Sequence, residues 1–234
     1  MQAYSCGPSG LPVDDLCAGS PDSVFERFSW FYALCRERLF TDHTDDIAAV
    51  MMPILQQPCR PVLMEIGCGP GFYSSRLAKR FPQIEVIGLD PSGGLLARAR
   101  RNAARHRLTN CRFVCARAQQ LSGFPETADF IIASRLFLIL RQRQSALETI
   151  YTALKPSGLL FIAEPLSPLR AAMPFACMRI LQLFTSHRNS PAGFENSRVL
   201  DKSQFAHFVA SQPWKHVRQW SDRRYQYALC EKPA

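Results

Sequence analysis

Three features of the 234-residue sequence predict a doubly wound α/β fold with a mostly parallel seven-stranded sheet. Short apolar strands alternate with amphipathic helices from Val62 to Glu164, the pattern of a parallel sheet covered on both faces. A glycine-rich turn links the first strand to the first of these helices. Two last strands, near Val217–Trp220 and Tyr225–Cys230, are joined only by Ser221–Arg224, which fits a C-terminal antiparallel hairpin.

The elements follow in order. Residues 1–20 are rich in Gly, Pro, Ser and Cys and read as a loose arm. From Pro21 to Met52 apolar residues (Val24, Phe28, Phe31, Leu34, Cys35) recur at spacings of three and four, a helical period. Ser20 or Asp22 is placed to cap that helix. A second helix is expected from Asp45 to Leu55, stopping near Pro58. Val62–Ile66 is a first strand, and Phe72–Phe81 a helix ended by Pro82. Glu85–Leu89 is a second strand and Gly93–His106 an amphipathic helix. Cys111–Ala116 and Asp129–Ser134 are the third and fourth strands. Arg143–Leu154 is a helix stopped by Lys155-Pro156-Ser157-Gly158, and Leu159–Glu164 a fifth strand. Residues 165–200 break the rhythm with an apolar helical stretch and a polar loop. A helix at Lys202–Ser211 resumes it. The implied division is an N-terminal arm with lid helices over 1–58, then one α/β domain over 59–234 with 165–200 as a substrate lid.

Hydrophobic residues make up 47% of the chain and charged residues 20%, so a buried core is expected rather than wholesale disorder. The net charge of +9 is partly local. Arg98, Arg100, Arg101, Arg105, Arg107, Arg112 and Arg117 lie close together, which reads either as a solvated helix face or as an attractor for anions. Nine cysteines without a CxxC pair suggest reduced thiols in a cytoplasmic protein rather than a metal site. Met1 to Leu16 lacks the pattern of a secretory signal. The most apolar window, Ala171 to Phe184, is interrupted by Pro174 and Arg179, short of a membrane span.

The chemistry is concentrated at two strand ends. The first strand runs into Glu65-Ile66-Gly67-Cys68-Gly69-Pro70-Gly71. Glycines there permit a sharp turn and let a ligand lie against backbone, while the next helix points its free N–H groups at the turn. Asp90 ends the second strand nineteen residues after Gly71 (90 − 71), the placement of an acid that takes ribose hydroxyls. The turn reads G-x-G-x-G, not the G-x-G-x-x-G built around a pyrophosphate, and no Lys-Ser/Thr pair makes a P-loop. Glu65 would repel a phosphate but suit an ammonium. A ligand with a ribose and an amino acid but no phosphate fits, and S-adenosylmethionine is such a ligand.

Four segments carry a family resemblance. Val62 to Gly71 resembles the first motif of class I, Rossmann-like S-adenosylmethionine-dependent methyltransferases, and Val86-Ile87-Gly88-Leu89-Asp90-Pro91-Ser92 the second. Ala128 to Ser134 resembles the fourth-strand motif, and Leu154 to Ile162 the fifth. The group suggested is the type 11/25-like small-molecule methyltransferases. The helical arm and the insert after the fifth strand are similar in layout to ubiquinone/menaquinone C-methyltransferases.

The resemblance implies site roles. Gly67, Cys68, Gly69 and Gly71 would line the methionine part of S-adenosylmethionine, whose product is S-adenosyl-L-homocysteine, and Glu65 would hold the loop and the amino group. Asp90, followed by Pro91, would take both ribose hydroxyls, and Leu95 would lie under the adenine. Ala118 would offer its backbone N–H to the adenine edge, and Ser134 would sit near the sulfonium. Arg117 departs from the family, which often has an Asp there to accept from the adenine amine; an arginine cannot accept that bond. A weaker or altered adenine contact is expected.

Methyl transfer needs mainly positioning of the nucleophile, and a base only where a proton must leave. Glu164, ending the fifth strand, is the candidate base or orienting group. Arg135 follows the fourth strand and is a candidate for binding an anionic or carbonyl group on the acceptor, or else is a surface charge or a partner to Asp129. Phe28, Phe31, Tyr32, Met178 and His187 are candidates for a greasy acceptor pocket, since aromatics and methionines cluster on the arm and the insert; both stretches equally read as core packing. The expected reaction is methyl transfer to a small, hydrophobic or aromatic acceptor. A nucleic-acid substrate is the rival the basic cluster favours, but the motif after the fourth strand is Ser134-Arg135-Leu136-Phe137, without the Pro-Pro pair of amino-methylating enzymes. Non-catalytic binding of S-adenosylmethionine and a peripheral membrane contact through the insert are further rivals. No metal is suggested, and the oligomeric state is not legible.

Overall fold

The computed structural model describes residues 40–56, 59–123, 125–167 and 199–234. Among them lie α1 (Thr44–Leu55), β1 (Val62–Ile66), α2 (Phe72–Arg80), β2 (Glu85–Asp90), α3 (Gly93–Arg105), β3 (Cys111–Cys115) and a 3-10 helix (Ala118–Gly123). Then follow β4 (Ala128–Ser134), α4 (Arg143–Ala153), β5 (Leu154–Pro165), α5 (Lys202–Val209), β6 (His216–Ser221) and β7 (Tyr225–Glu231). The strands form one sheet in the order β3-β2-β1-β4-β5-β7-β6. The first five are parallel, while β7 runs antiparallel to both β5 and β6. The doubly wound sheet with its closing hairpin is therefore present, and the order reverses between β1 and β4.

Both faces are buried, as near-continuous apolar strands require. On one face Met64, Ile66, Ile131 and Ile162 pack under Leu147 and Ile150 of α4 and Phe205 and Phe208 of α5. On the other, Leu63, Val86, Phe130 and Phe161 pack under Ile47 and Met51 of α1 and Tyr73 and Leu77 of α2. Leu96, Ala99 and Ala103 of α3 close over Phe113 and Cys68. The Asn110 amide ties down the turn before β2 by donating to the carbonyls of Ala78, Phe81 and Ile84. Local capping agrees: Ser92 accepts from the Leu95 N–H at the start of α3, and Asp201 with Gln204 forms a capping box on α5. Each cap is worth about 1 kcal/mol.

Three expectations need correction. The second helix expected from Asp45 to Leu55 is present as α1, beginning at Thr44, and of the earlier helical pattern read from Pro21 only residues 40–43 fall within the described residues, where they are not helical. There His43 is buried among Tyr73, Tyr225 and Tyr227, and that tertiary packing overrides the local period. Pro53 sits inside α1. The fifth strand begins earlier than Leu159: Leu154 already pairs with Ala128, residues 155–158 loop out, and pairing resumes at Leu159 opposite Phe130. The turn signal was real but marks an irregularity within the strand, with Ser157 in left-handed conformation. Finally, Cys59, Cys68, Cys111 and Cys230 are free thiols, but Cys115 is disulfide-bonded, against the expectation of reduced thiols throughout. No helix of the described residues is long and apolar enough to cross a membrane.

Candidate active site

The carboxyl ends of β1, β2, β4 and β5 converge at the reversal of strand order, where open α/β sheets hold ligands. The glycine turn starts there. Gly67, Gly69 and Gly71 all have positive φ (72°, 54° and 75°), a conformation that other residues adopt only with strain. Gly71 has a second reason: a Cβ there would lie 2.8 Å from the Phe113 ring. Gly67 and Cys68 both donate their N–H to the Leu89 carbonyl, which pins the turn to the end of β2.

Two buried carboxylates hold this turn from below. Glu65 accepts the N–H and the hydroxyl of Ser74, so it caps the first turn of α2, whose N-cap, Gly71, has no side chain to do so. Asp90 accepts the N–H of Gly69 on one oxygen and that of Ser92 on the other, at 2.8 and 2.9 Å. A carboxylate has about four acceptor positions, more than these two bonds take. Cys68 points into the core cluster of α3 rather than into the turn. Burial, with the charges of Asp90 and Glu65 adding to it, pushes its thiol well above its ordinary value. It is a packing group, and only its backbone faces the turn.

The positions expected to meet the adenine are less regular. Ala118 is buried, and among the described residues its N–H donates to no other group. Arg117 is exposed, its own N–H taken by the Gln120 side chain. Leu95 is buried in the packing of α3, and Pro91 is exposed. Ser134 is half-buried at the end of β4, and Leu136 lies beside Gly67, where a Cβ would meet it at 3.1 Å.

On the opposite rim the structure brings together Arg135 and Glu164. Arg135 is only 8% exposed. Its guanidinium stacks 3.9 Å over the Phe40 ring and reaches the Tyr225 hydroxyl at 3.4 Å. Its backbone is left-handed (φ 56°), with its N–H bonded to the Ala163 carbonyl. Both other readings of Arg135 are overturned: its burial excludes a surface charge, and Asp129 is engaged instead by Lys155 and by the Val62 N–H at the other end of the sheet. Glu164 is 4% exposed and accepts from the Phe137 N–H at 2.8 Å. Burial pushes its carboxyl up to about 7, against the opposing pull of the Phe137 and Leu138 N–H groups and of Arg135 and Arg143.

Phe28, Phe31, Tyr32, Met178 and His187 lie outside the described residues. Sequence reading missed Phe40, Tyr225 and Arg143, which surround the Arg135–Glu164 pair; no local motif marks them. It also missed the role of Gly88, where a Cβ would lie 2.7 Å from Phe113 and 2.9 Å from the Cys68 sulfur. A glycine inside an apolar strand was the available signal.

Residues 63–158 match the methyltransferase domain family. The chain is 34% identical over 110 residues to trans-aconitate 2-methyltransferase of Deinococcus radiodurans, covering 46% of this chain and 40% of that one. It is 28% identical over 101 residues to malonyl-[acyl-carrier protein] O-methyltransferase of Priestia megaterium, covering 43% and 35%. The fold resembles the S-adenosylmethionine-dependent methyltransferase SibL (TM-score 0.57, 18% identity, 80% of this chain and 57% of that one).

Over residues 63–158 the chain is a methyltransferase domain of the class I S-adenosylmethionine-dependent type.

The matches to curated relatives span about half of their length or less. The same fold occurs in the [4+2]-cyclase SpnF (TM-score 0.66, 16% identity, 97% and 100% covered), so the architecture alone does not name the reaction. The cofactor of the superfamily is S-adenosylmethionine, and the residues present fit it. Gly67, Gly69 and Gly71 bring no Cβ atoms to the cradle, the Asp90 carboxylate stands beside it, and among the described residues no group takes the Ala118 N–H at the far end.

Proposed function

We propose that this protein transfers a methyl group from S-adenosylmethionine to a small acceptor with an apolar or aromatic body and an anionic or carbonyl group. The cofactor supplies a methyl carbon made electrophilic by its sulfonium. Gly67, Gly69 and Gly71 offer close backbone approach, Asp90 takes the ribose hydroxyls, and Ala118 meets the adenine edge.

The observation that carries the acceptor reading is the buried Arg135 guanidinium, stacked on Phe40 beside Tyr225 at the end of β4. A guanidinium on an aromatic floor suits a planar carboxylate or carbonyl attached to an apolar body. The names of the relatives agree, since trans-aconitate and a malonyl group both carry carboxylates. Glu164, with its carboxyl near 7, exists in both protonation states near neutrality, as a base for a protonated nucleophile must. For an acceptor already ionised it acts as an orienting group through the Phe137 backbone. The arm (1–58) and the insert (165–200) complete the apolar pocket in this reading, with Phe28, Phe31, Tyr32, Met178 and His187 on it.

The test is transfer from methyl-labelled S-adenosylmethionine to a panel of aromatic and unsaturated carboxylic acids, phenols and quinols. Labelled product with S-adenosyl-L-homocysteine, and a kcat/KM lowered about tenfold or more in Arg135→Lys at unchanged cofactor affinity, is the expected result. Cofactor binding without turnover on any acceptor would leave a binding protein and end the enzyme reading.

A further inference from the structure

Between Asp90 and Glu126 the sequence holds seven arginines and no Asp or Glu. The structure divides them. Arg100 reaches across to the Phe113 carbonyl, and Arg112 pairs with Glu85, so both belong to the fold. Arg98, Arg101 and Arg105 occupy one face of α3 at spacings of three and four, and Arg107 follows just beyond its end. Arg101, Arg105 and Arg107 are exposed and Arg98 is half-buried. None of these four forms an ion pair with an acid among the described residues. The neighbouring helix behaves differently: on α2, Arg76 pairs with Asp42 and Arg80 with Asp45. Among the described residues, acids pair with one basic helix and not with these arginines of the next.

We propose that this face of α3 docks an acidic protein partner through a helix bearing carboxylates. The spacing is the first reason. At 1.5 Å per residue the three arginines stand about 4.5 and about 6 Å apart along the axis, the same intervals that Asp or Glu at matching positions present on an opposing helix. The second reason is what lies between them. Gly94, Ala97 and Ala104 have no bulk, so a partner helix can approach to the usual ~8–10 Å between axes. Guanidinium forks then meet carboxylates bidentately. The same composition disfavours other anions. The face carries no aromatic residue on which a base could stack and no large apolar residue to anchor in a bilayer. Its position gives the docking a use. α3 starts three residues after Asp90 (93 − 90), so the arginine face descends from the rim of the cofactor turn, and a docked protein would stand beside the mouth of the site. This inference is independent of the acceptor chemistry proposed above.

The test is equilibrium binding of the full chain to labelled poly-L-glutamate at fixed moderate salt, beside polyuridylate and phosphatidylglycerol vesicles. Two triple variants carry the same change in charge: Arg98→Glu with Arg101→Glu and Arg105→Glu, and Arg218→Glu with Arg223→Glu and Arg224→Glu on the exposed β6–β7 hairpin. The expected result is polyglutamate binding weakened about tenfold or more in the first triple and little changed in the second. Equal losses in both would show attraction by net charge alone and overturn the proposal. So would absence of polyglutamate binding, or a first-triple loss that is larger for polyuridylate or for vesicles. Thermal melting checks that each triple is folded, and alanine versions replace any that is not.

Discussion

The carboxylate of Asp90 accepts the N–H of Gly69 at 2.8 Å, so the acid at the end of β2 is also a structural clamp on the glycine turn. In the proposed function, ligand contact and loop geometry therefore depend on one side chain. Asp90→Ala should lose cofactor binding by about tenfold or more in calorimetry, since a charge-assisted hydrogen bond is worth about 1.5–3 kcal/mol. Asp90→Asn keeps a polar group and should lose less. Equal affinity in Asp90→Ala and the parent would remove Asp90 from the site.

Gly88 should tolerate no side chain. Its Cβ would meet the Phe113 ring and the Cys68 sulfur inside van der Waals distance, and overpacking of this kind costs about 1–3 kcal/mol. Urea denaturation should show Gly88→Ala destabilised by that amount. Adding Phe113→Leu should recover part of it, whereas independent effects would simply add.

Glu164 should impose a pH dependence of one sign. Its carboxyl lies near 4.5 when unfolded and about 7 when folded, so the folded state binds the extra proton. Stability is then greatest below about 4.5 and falls as pH rises through the window to about 7, by ~3 kcal/mol at most. Glu164→Gln should therefore gain on the parent protein between about pH 5 and about pH 8 in paired denaturation curves. The same variant should lose any activity limb near pH 7. A difference between the two proteins that stays constant across the window would exclude the shifted carboxyl.

Ser157 holds φ 61° in the exposed turn that interrupts β5. A non-glycine residue there is strained. Ser157→Gly should raise stability by about 0.5–1 kcal/mol in chemical denaturation, with cofactor binding untouched.

The five parallel strands and the glycine–acid pair were legible in the chain because their signals are local. Strand length, apolar content and turn residues sit within a few positions of each other, and Gly71 and Asp90 belong to one βαβ unit. The hairpin was legible for the same reason. Of the helical pattern before Thr44 only residues 40–43 are described, and they are not helical: His43 is claimed by tyrosines from α2 and β7, which no window contains.

The sequence by itself determined the fold class and the glycine turn with the acid at the next strand end. Only the tertiary structure decided the surroundings of Arg135 and Glu164. Arg135 meets Tyr225 across ninety positions (225 − 135), because β7 inserts beside β5 against the chain order. The same placement buries Glu164, and burial rather than any motif moves its carboxyl. A charge's environment is set by what packs around it, and here the packing comes from segments far apart in the chain.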